Sequence, residues 1–134
     1  VINPTGGKVR GHDVQGDGRY GAPRGSGKTH TGTDYIGIPG QIVYAVVSGL
    51  IDRIGRVYSD SAMYRYIAIT SDNREVRHLY VEPDDMVIVG RNVGAGQVIG
   101  TLQALHPRYR GIINHVHIDI KIDGNFVNPE DFIL

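Results

Sequence analysis

The chain has 134 residues, 14 Lys and Arg against 14 Asp and Glu, and no cysteine. That is one domain's length, with room for a core that needs no staples; the balanced charge offers no footprint for nucleic acid or an anionic membrane surface, and disulfides and thiolate metal sites are excluded. No apolar run approaches the ~20 residues of a membrane span, no signal peptide is visible, and Val1 in place of Met points to a processed chain or an excised piece of a larger protein.

Residues 1–29 read as an extended, turn-rich segment that wraps a core built by the rest of a single domain, 1–134. Eleven of the 19 glycines fall in residues 1–40, in a chain with about twice the ~7% glycine of an average protein. Within this segment, "GSGKTH" resembles the end of a phosphate-binding loop, but the spacing fails. The glycine required five residues before Gly27 falls on Ala22, with Gly21 one place too early. The context fails too: "HDVQGDGRY" is no buried strand, and "HTGTDYIGIPG" cannot open the helix whose N-terminus would hold the phosphates.

Beyond Tyr35 the sequence reads as strands. Val43–Val47, Leu50–Val57, Met63–Thr70, Glu75–Val81, Gln97–Leu102 and His115–Ile122 are short, rich in Val, Ile and Tyr, and bounded by Gly, Asp, Asn or Pro. Asp72-Asn73 reads as a turn between antiparallel strands. The one helical signal is terminal, with Asn128 as cap and Pro129 in the first helical position. The expected fold is all-β, a sandwich or barrel of short strands with Gly-rich wrapping loops.

Three elements carry chemistry. "HTGTD" places His30 and Asp34 four residues apart around Gly32, where a bend lets both side chains converge; alone, such a pair is more often a solvated loop than a site. Zinc takes imidazole nitrogen and carboxylate oxygen, and a catalytic site leaves one position open. In "NHVHIDI" the alternation of a strand puts His115, His117 and Asp119 on one face and the apolar Val116, Ile118 and Ile120 on the other. Asp119 could steady a neighbour or simply meet solvent. In "RHLY", strand alternation puts His78 on one face with Val76 and Tyr80, and alone it reads as an ordinary core-edge histidine. His12 and His106, in Gly- or Pro-flanked loops, read as surface residues.

In this order, "HTGTD", "RHL" and "HVHIDI" make the sequence resemble the lysostaphin-type zinc endopeptidases that cut bacterial cell-wall peptides. "VYAVVSGLI", "VGAGQVIGTL" and "NPEDFIL" agree with that family, and the resemblance runs from about Gly16 onward. It implies a mostly antiparallel β-fold with a long groove and a zinc ion at the groove floor, with His30, Asp34 and His117 as ligands and His115 and His78 as the catalytic pair: His115 the candidate general base and His78 the oxyanion stabiliser, two roles that could be exchanged. Tyr20 and Asn114 are candidate groove contacts. The implied substrate is a peptidoglycan peptide met outside the cytoplasm, in bacterial wall remodelling or phage-type wall degradation. "GDGRYGAPR…HTGTD" and "YRGIINHVHI" are also similar to leukocyte cell-derived chemotaxin 2, which shares the zinc ligands, lacks the histidine of "RHL" and is not known as a peptidase. The alternatives are therefore a zinc-stabilised binding or signalling module of that type, and a metal-free module that recognises wall glycan-peptide. The chain departs from the peptidase pattern at Val76, where Tyr is usual, and at Val46, where Pro is usual.

Overall fold

The computed structural model describes residues 2–25 and 27–133. Two small ribbons occupy the Gly-rich segment: β1 (His12–Asp13) with β2 (Gly16–Asp17), and β3 (Pro23–Arg24) with β4 (Lys28–Thr29). Then follow β5 (Thr33–Ile36), β6 (Ile42–Tyr44), β7 (Gly49–Tyr58), β8 (Ser61–Ser71), β9 (Arg74–Leu79) and β10 (Val81–Pro83). The chain ends with β11 (Asn92–Val93), β12 (Val98–Leu102), β13 (His115–Ile122), β14 (Asn125–Val127) and a 3₁₀ turn over Pro129–Asp131.

Every strand pair is antiparallel among the described residues. The large sheet runs β11-β7-β8-β9-β13-β14, with β5 also paired to β13; the small sheet runs β10-β12-β6. One apolar cluster joins them, with Ile51, Ile67, Ile69, Val76, Val116 and Ile118 from the large sheet and Val43, Val81, Ile99 and Leu102 from the small one. The fold is thus the expected all-β, antiparallel class.

The local signals act where they were read. Asp72-Asn73 is the two-residue connection between β8 and β9, closed by the Ser71–Arg74 pair, and Asp72 takes a left-handed φ of 54°. The Asn128 side chain accepts from the Glu130 N–H at 3.0 Å. The expected strand Val43–Val47 is shorter, because the chain leaves the small sheet after Tyr44, although Ala45–Val47 stay buried.

The largest departure is in the expected strand Glu75–Val81. Tyr80 has φ 76°, a conformation that bulky residues rarely adopt. There the chain leaves the large sheet at the end of β9 and enters the small sheet as β10. The twist is held on both sides: the Tyr80 N–H donates to the Arg65 carbonyl at 2.8 Å, and its carbonyl accepts from Gln103 N–H at 2.9 Å.

Candidate metal centre

The site lies on the face of the large sheet opposite the core. His117 is the cross-strand partner of Asp34, since β5 runs beside β13. His30 reaches them from the loop before β5. Its N–H donates to the Ala22 carbonyl at 2.8 Å, its carbonyl accepts from Gly21 N–H at 2.9 Å, and Asp34 N–H donates to the Gly18 carbonyl at 2.8 Å. The Gly-rich segment therefore acts as a clamp that fixes His30 and Asp34 from outside the sheet. Its glycines are needed for close approach: a Cβ on Gly18 would stand 2.6 Å from the Cβ of Arg10.

Gly32 has the same purpose. A methyl there would lie 2.8 Å from the His117 ring and overlap the Ile118 carbonyl. This glycine makes room for a neighbour's imidazole, in addition to any bend it allows.

His30 Nε2 and His117 Nδ1 face each other at 3.0 Å. Asp34 Oδ1 is 2.9 Å from His117 Nδ1 and 3.3 Å from His30 Nε2. The three atoms lie within 4.8 Å of one another. The far nitrogens of both rings are committed: His30 Nδ1–H donates to the Arg19 carbonyl at 3.0 Å, and His117 Nε2–H to Asp119 Oδ2 at 3.2 Å. Two neutral imidazoles held this way turn two lone pairs and a carboxylate oxygen towards one point, with no donor among them. A cation resolves that arrangement, and the second-nitrogen contacts are those that orient histidine ligands. Two nitrogens and one oxygen with a position left over suit zinc.

Burial alone would lower His117, but hydrogen bonds with Asp119 and Asp34 override it and raise the imidazole to about 9. Burial likewise pushes Asp34 upward and is overridden by hydrogen bonds from His117 and His30, so its carboxylate is held well below the ordinary range. Its second oxygen accepts from Arg10 Nε at 3.0 Å.

Asp119 is 1% exposed, not a solvated carboxylate. Arg77, its cross-strand partner on β9, grips it with two hydrogen bonds, Nε to Oδ1 at 2.8 Å and a terminal nitrogen to Oδ2 at 2.6 Å. The chain Arg77–Asp119–His117 thus orients one of the clustered imidazoles from behind. Arg10, buried beside Asp34, braces the carboxylate.

His115 joins the cluster from β13. Its Nδ1–H donates to the Ile113 carbonyl at 2.8 Å, which leaves Nε2 as an acceptor 3.3 Å from Asp34 Oδ2. Burial, only partly offset by Asp34, lowers His115 to about 4, so the imidazole is neutral at physiological pH. Both histidines of "HVH" lie on one face, as alternation requires, but they are 3% and 7% exposed and lie beneath the clamp rather than in open solvent.

His78, expected beside His115, is elsewhere. It pairs with Ile118 and Ile67 across the sheet and is fully buried on the core face. Val46 N–H donates to its Nε2 at 3.0 Å, and its Nδ1–H donates to the Ile67 carbonyl at 3.3 Å. Both nitrogens are occupied by backbone, and burial lowers the ring to about 4. On this strand Arg77 and Leu79 face the site instead.

The neighbour of His115 is Tyr80, whose ring meets the imidazole edge-on with centroids 5.6 Å apart. The Tyr80 hydroxyl is 2.9 Å from that of Tyr58, which in turn bonds the Tyr109 hydroxyl. Burial raises the Tyr58 and Tyr80 phenols above their ordinary value. These three tyrosines, with His30, Asp34, His115 and His117, line one cleft of about 440 Å³, a size suited to a small ligand or a peptide segment.

Tyr20 and Asn114 do not line that cleft. The Tyr20 hydroxyl reaches the Phe126 carbonyl at 3.5 Å. Asn114 braces the preceding loop, accepting from Leu105 N–H at 2.9 Å and donating to the Gln103 carbonyl at 3.1 Å. His12 and His106 are exposed.

Comparison with known proteins agrees with this architecture. Residues 28–129 match the model of peptidase family M23. The chain is 32% identical over 120 residues to myeloid protein 1 of Gallus gallus, covering 87% of this chain and 36% of that protein. It is 29% identical over 113 residues to leukocyte cell-derived chemotaxin-2 of Bos taurus, covering 84% of this chain and 72% of that one. Among solved structures, the catalytic domain of the prophage-encoded M23 protein EnpA from Enterococcus faecalis superposes with a TM-score of 0.65 at 25% identity, covering 85% of this chain and 87% of the other. The chain thus spans about a third of the length of myeloid protein 1.

Proposed function

The chain belongs to peptidase family M23, and from that premise we propose that it is a zinc-dependent endopeptidase that hydrolyses peptide bonds of bacterial cell-wall peptidoglycan outside the cytoplasm, in wall remodelling or phage-type wall degradation. The observation that carries this reading is the convergence of His30 Nε2, His117 Nδ1 and Asp34 Oδ1 at one end of a cleft, with the free Nε2 of His115 beside them. The likeness to a prophage-encoded catalytic domain supports it.

In this reading His30, Asp34 and His117 would hold the ion, and the chemistry it would supply is Lewis acidity: hydroxide available near neutral pH and a polarised carbonyl. His115, neutral and pinned by the Ile113 carbonyl, takes the proton from the attacking water and returns it to the leaving amine. Arg77 and Asp119 keep the His117 ring in its working tautomer, and Arg10 keeps the Asp34 carboxylate aimed. The clamp contacts of Gly18, Gly21 and Ala22 with His30 and Asp34 hold these two groups in place from outside the sheet.

The test is metal analysis combined with digestion of several peptidoglycans, with fragments identified by mass spectrometry. About one zinc per chain, cleavage abolished by a chelator and restored by zinc, and His115→Ala retaining zinc while losing turnover are the expected results. Full zinc content with every wall type left intact would refute the peptidase reading.

One observation favours a second reading, a non-catalytic zinc-stabilised module: His78 is withdrawn into the core, so His115 is the one histidine beside the three clustered groups. The similarity to leukocyte cell-derived chemotaxin-2 points the same way. Zinc binding without hydrolysis separates the two.

A further inference from the structure

We propose that Tyr80 donates a hydrogen bond to the oxyanion that forms when a peptide carbonyl is attacked in this cleft, filling the place that His78 leaves vacant. This rests on the endopeptidase reading. Tyr109, Tyr58 and Tyr80 form a chain of hydroxyls with two hydrogen bonds. Three phenols carry three protons, and two bonds use two of them. One O–H is left to donate.

The surroundings decide which one. The Arg108 guanidinium lies 3.6 Å from the Tyr58 ring centroid and 5.9 Å from that of Tyr109. A cation over Tyr58 and beside Tyr109, and not against the Tyr80 ring, turns the O–H dipoles away from itself and towards Tyr80. The spare proton then sits on Tyr80, whose ring stands edge-on against the candidate base His115. The backbone gives independent support. Tyr80 is the one described residue of β9, β10 and their junction with a positive φ, 76°. Had the strand continued regularly, position 80 would share the core face with His78. The twist delivers the phenol to the cleft instead. A sparsely populated conformation of this kind, held by hydrogen bonds on both sides, is a recognised mark of a functional position.

The step balances without a further reactant. Water oxygen bonds to the carbonyl carbon, its proton passes to His115, and the carbonyl π-pair moves onto oxygen. Tyr80 hydrogen-bonds that oxygen and keeps its own proton. When the C–N bond breaks, the amine leaves with the proton from His115. Tyr80 is thus the catalytic group, while Tyr58 and Tyr109 are positioning residues that pass on polarisation.

The experiment compares wild type, Tyr80→Phe and Tyr58→Phe, all loaded with zinc. Turnover is measured on a muropeptide that the wild type cleaves. Binding of a phosphinic pseudopeptide of that bond, or of a Gly-Gly bond if none is cleaved, is measured by calorimetry. Tyr80→Phe is expected to lower kcat about 10²–10³-fold with KM within about twofold. Phosphinate affinity should fall similarly and zinc content should be unchanged. Tyr58→Phe, which removes a relay and not the donor, should lose about tenfold in kcat. An active wild type with kcat and phosphinate affinity unchanged in Tyr80→Phe would overturn the inference alone, as would a loss confined to KM or one that parallels zinc loss. An inert wild type whose phosphinate affinity drops in Tyr80→Phe would overturn the endopeptidase reading and leave the hydrogen bond standing. No phosphinate binding by an inert wild type would overturn both.

Discussion

Replacing His78 tests whether this histidine is a chemical group of the site or a structural one of the core. Its Nε2 accepts the buried Val46 N–H and its Nδ1–H donates to Ile67. His78→Ala leaves a buried donor unpaired, at about 1–3 kcal/mol, and removes a second hydrogen bond at about 1 kcal/mol. With the cavity added, the total is roughly 3–5 kcal/mol. His78→Gln can return an acceptor to Val46 and should lose about 1–2 kcal/mol. Titration adds a second signature. The ring is held neutral down to about 4 against an ordinary 6.5. The folded state therefore binds fewer protons than the unfolded chain in that window. Stability from this group is fully present above pH 6.5, falls as the pH drops, and levels off below 4, a change of about 3 kcal/mol at ~1.4 kcal/mol per pH unit. His78→Gln should flatten that slope. Urea unfolding at pH 4 to 8, beside zinc analysis and turnover of the folded fraction, reads all of this. Zinc per chain and kcat/KM should stay within about threefold of wild type in His78→Gln. A folded, fully zinc-loaded His78→Gln with kcat down 10²-fold would refute the structural assignment.

Other outcomes follow from the same geometry. Asp119→Asn should weaken zinc affinity about 10–100-fold, measured by chelator competition, because it loosens the hold on His117 Nε2; Arg77→Met should do so more mildly. Gly32→Ala should lower zinc affinity at least about tenfold, since the added methyl pushes the His117 ring. With zinc at about 1,000 times its Kd, the folded state gains about 4 kcal/mol, so chelation should lower Tm by roughly 15 °C, a difference that His30→Ala should erase.

The parts of the fold that were legible are those where side-chain alternation meets a single buried face. His115–Ile122 was read with its observed bounds because Val116, Ile118 and Ile120 alternate with polar residues along a strand flanked on both sides. The Asp72-Asn73 turn and the Asn128 cap were legible because their chemistry is local. The two-residue ribbons of the Gly-rich segment were not, since their partners are chosen by the clamp's contacts with Arg10, Asp34 and His30 and not by any period of their own. The pattern leaves Asp119 open between steadying a neighbour and meeting solvent, and favours solvent because a carboxylate on a polar face normally meets it. Its burial depends on Arg77 standing opposite in register, which no single strand reveals.

The misplaced histidine has one physical cause. Alternation assigns His78, Val76 and Tyr80 to a common face, and that assignment holds for His78 and Val76, both of which are buried in the core. It fails at Tyr80, where φ turns positive and the chain crosses from the large sheet to the small one. Period-two reasoning cannot see a twist that long-range partners impose, here Arg65 and Gln103. The residue that pattern put in the core therefore faces the cleft, and the residue that resemblance put in the cleft lies in the core. If the twist were relaxed, for instance by Gln103→Pro, which removes the N–H bound to the Tyr80 carbonyl, the Tyr80 ring should lose its fixed place against His115. An NMR measurement of ring-current shifts on His115 would register the change, and an unaltered spectrum in a folded variant would show that something other than this backbone contact holds the tyrosine in place.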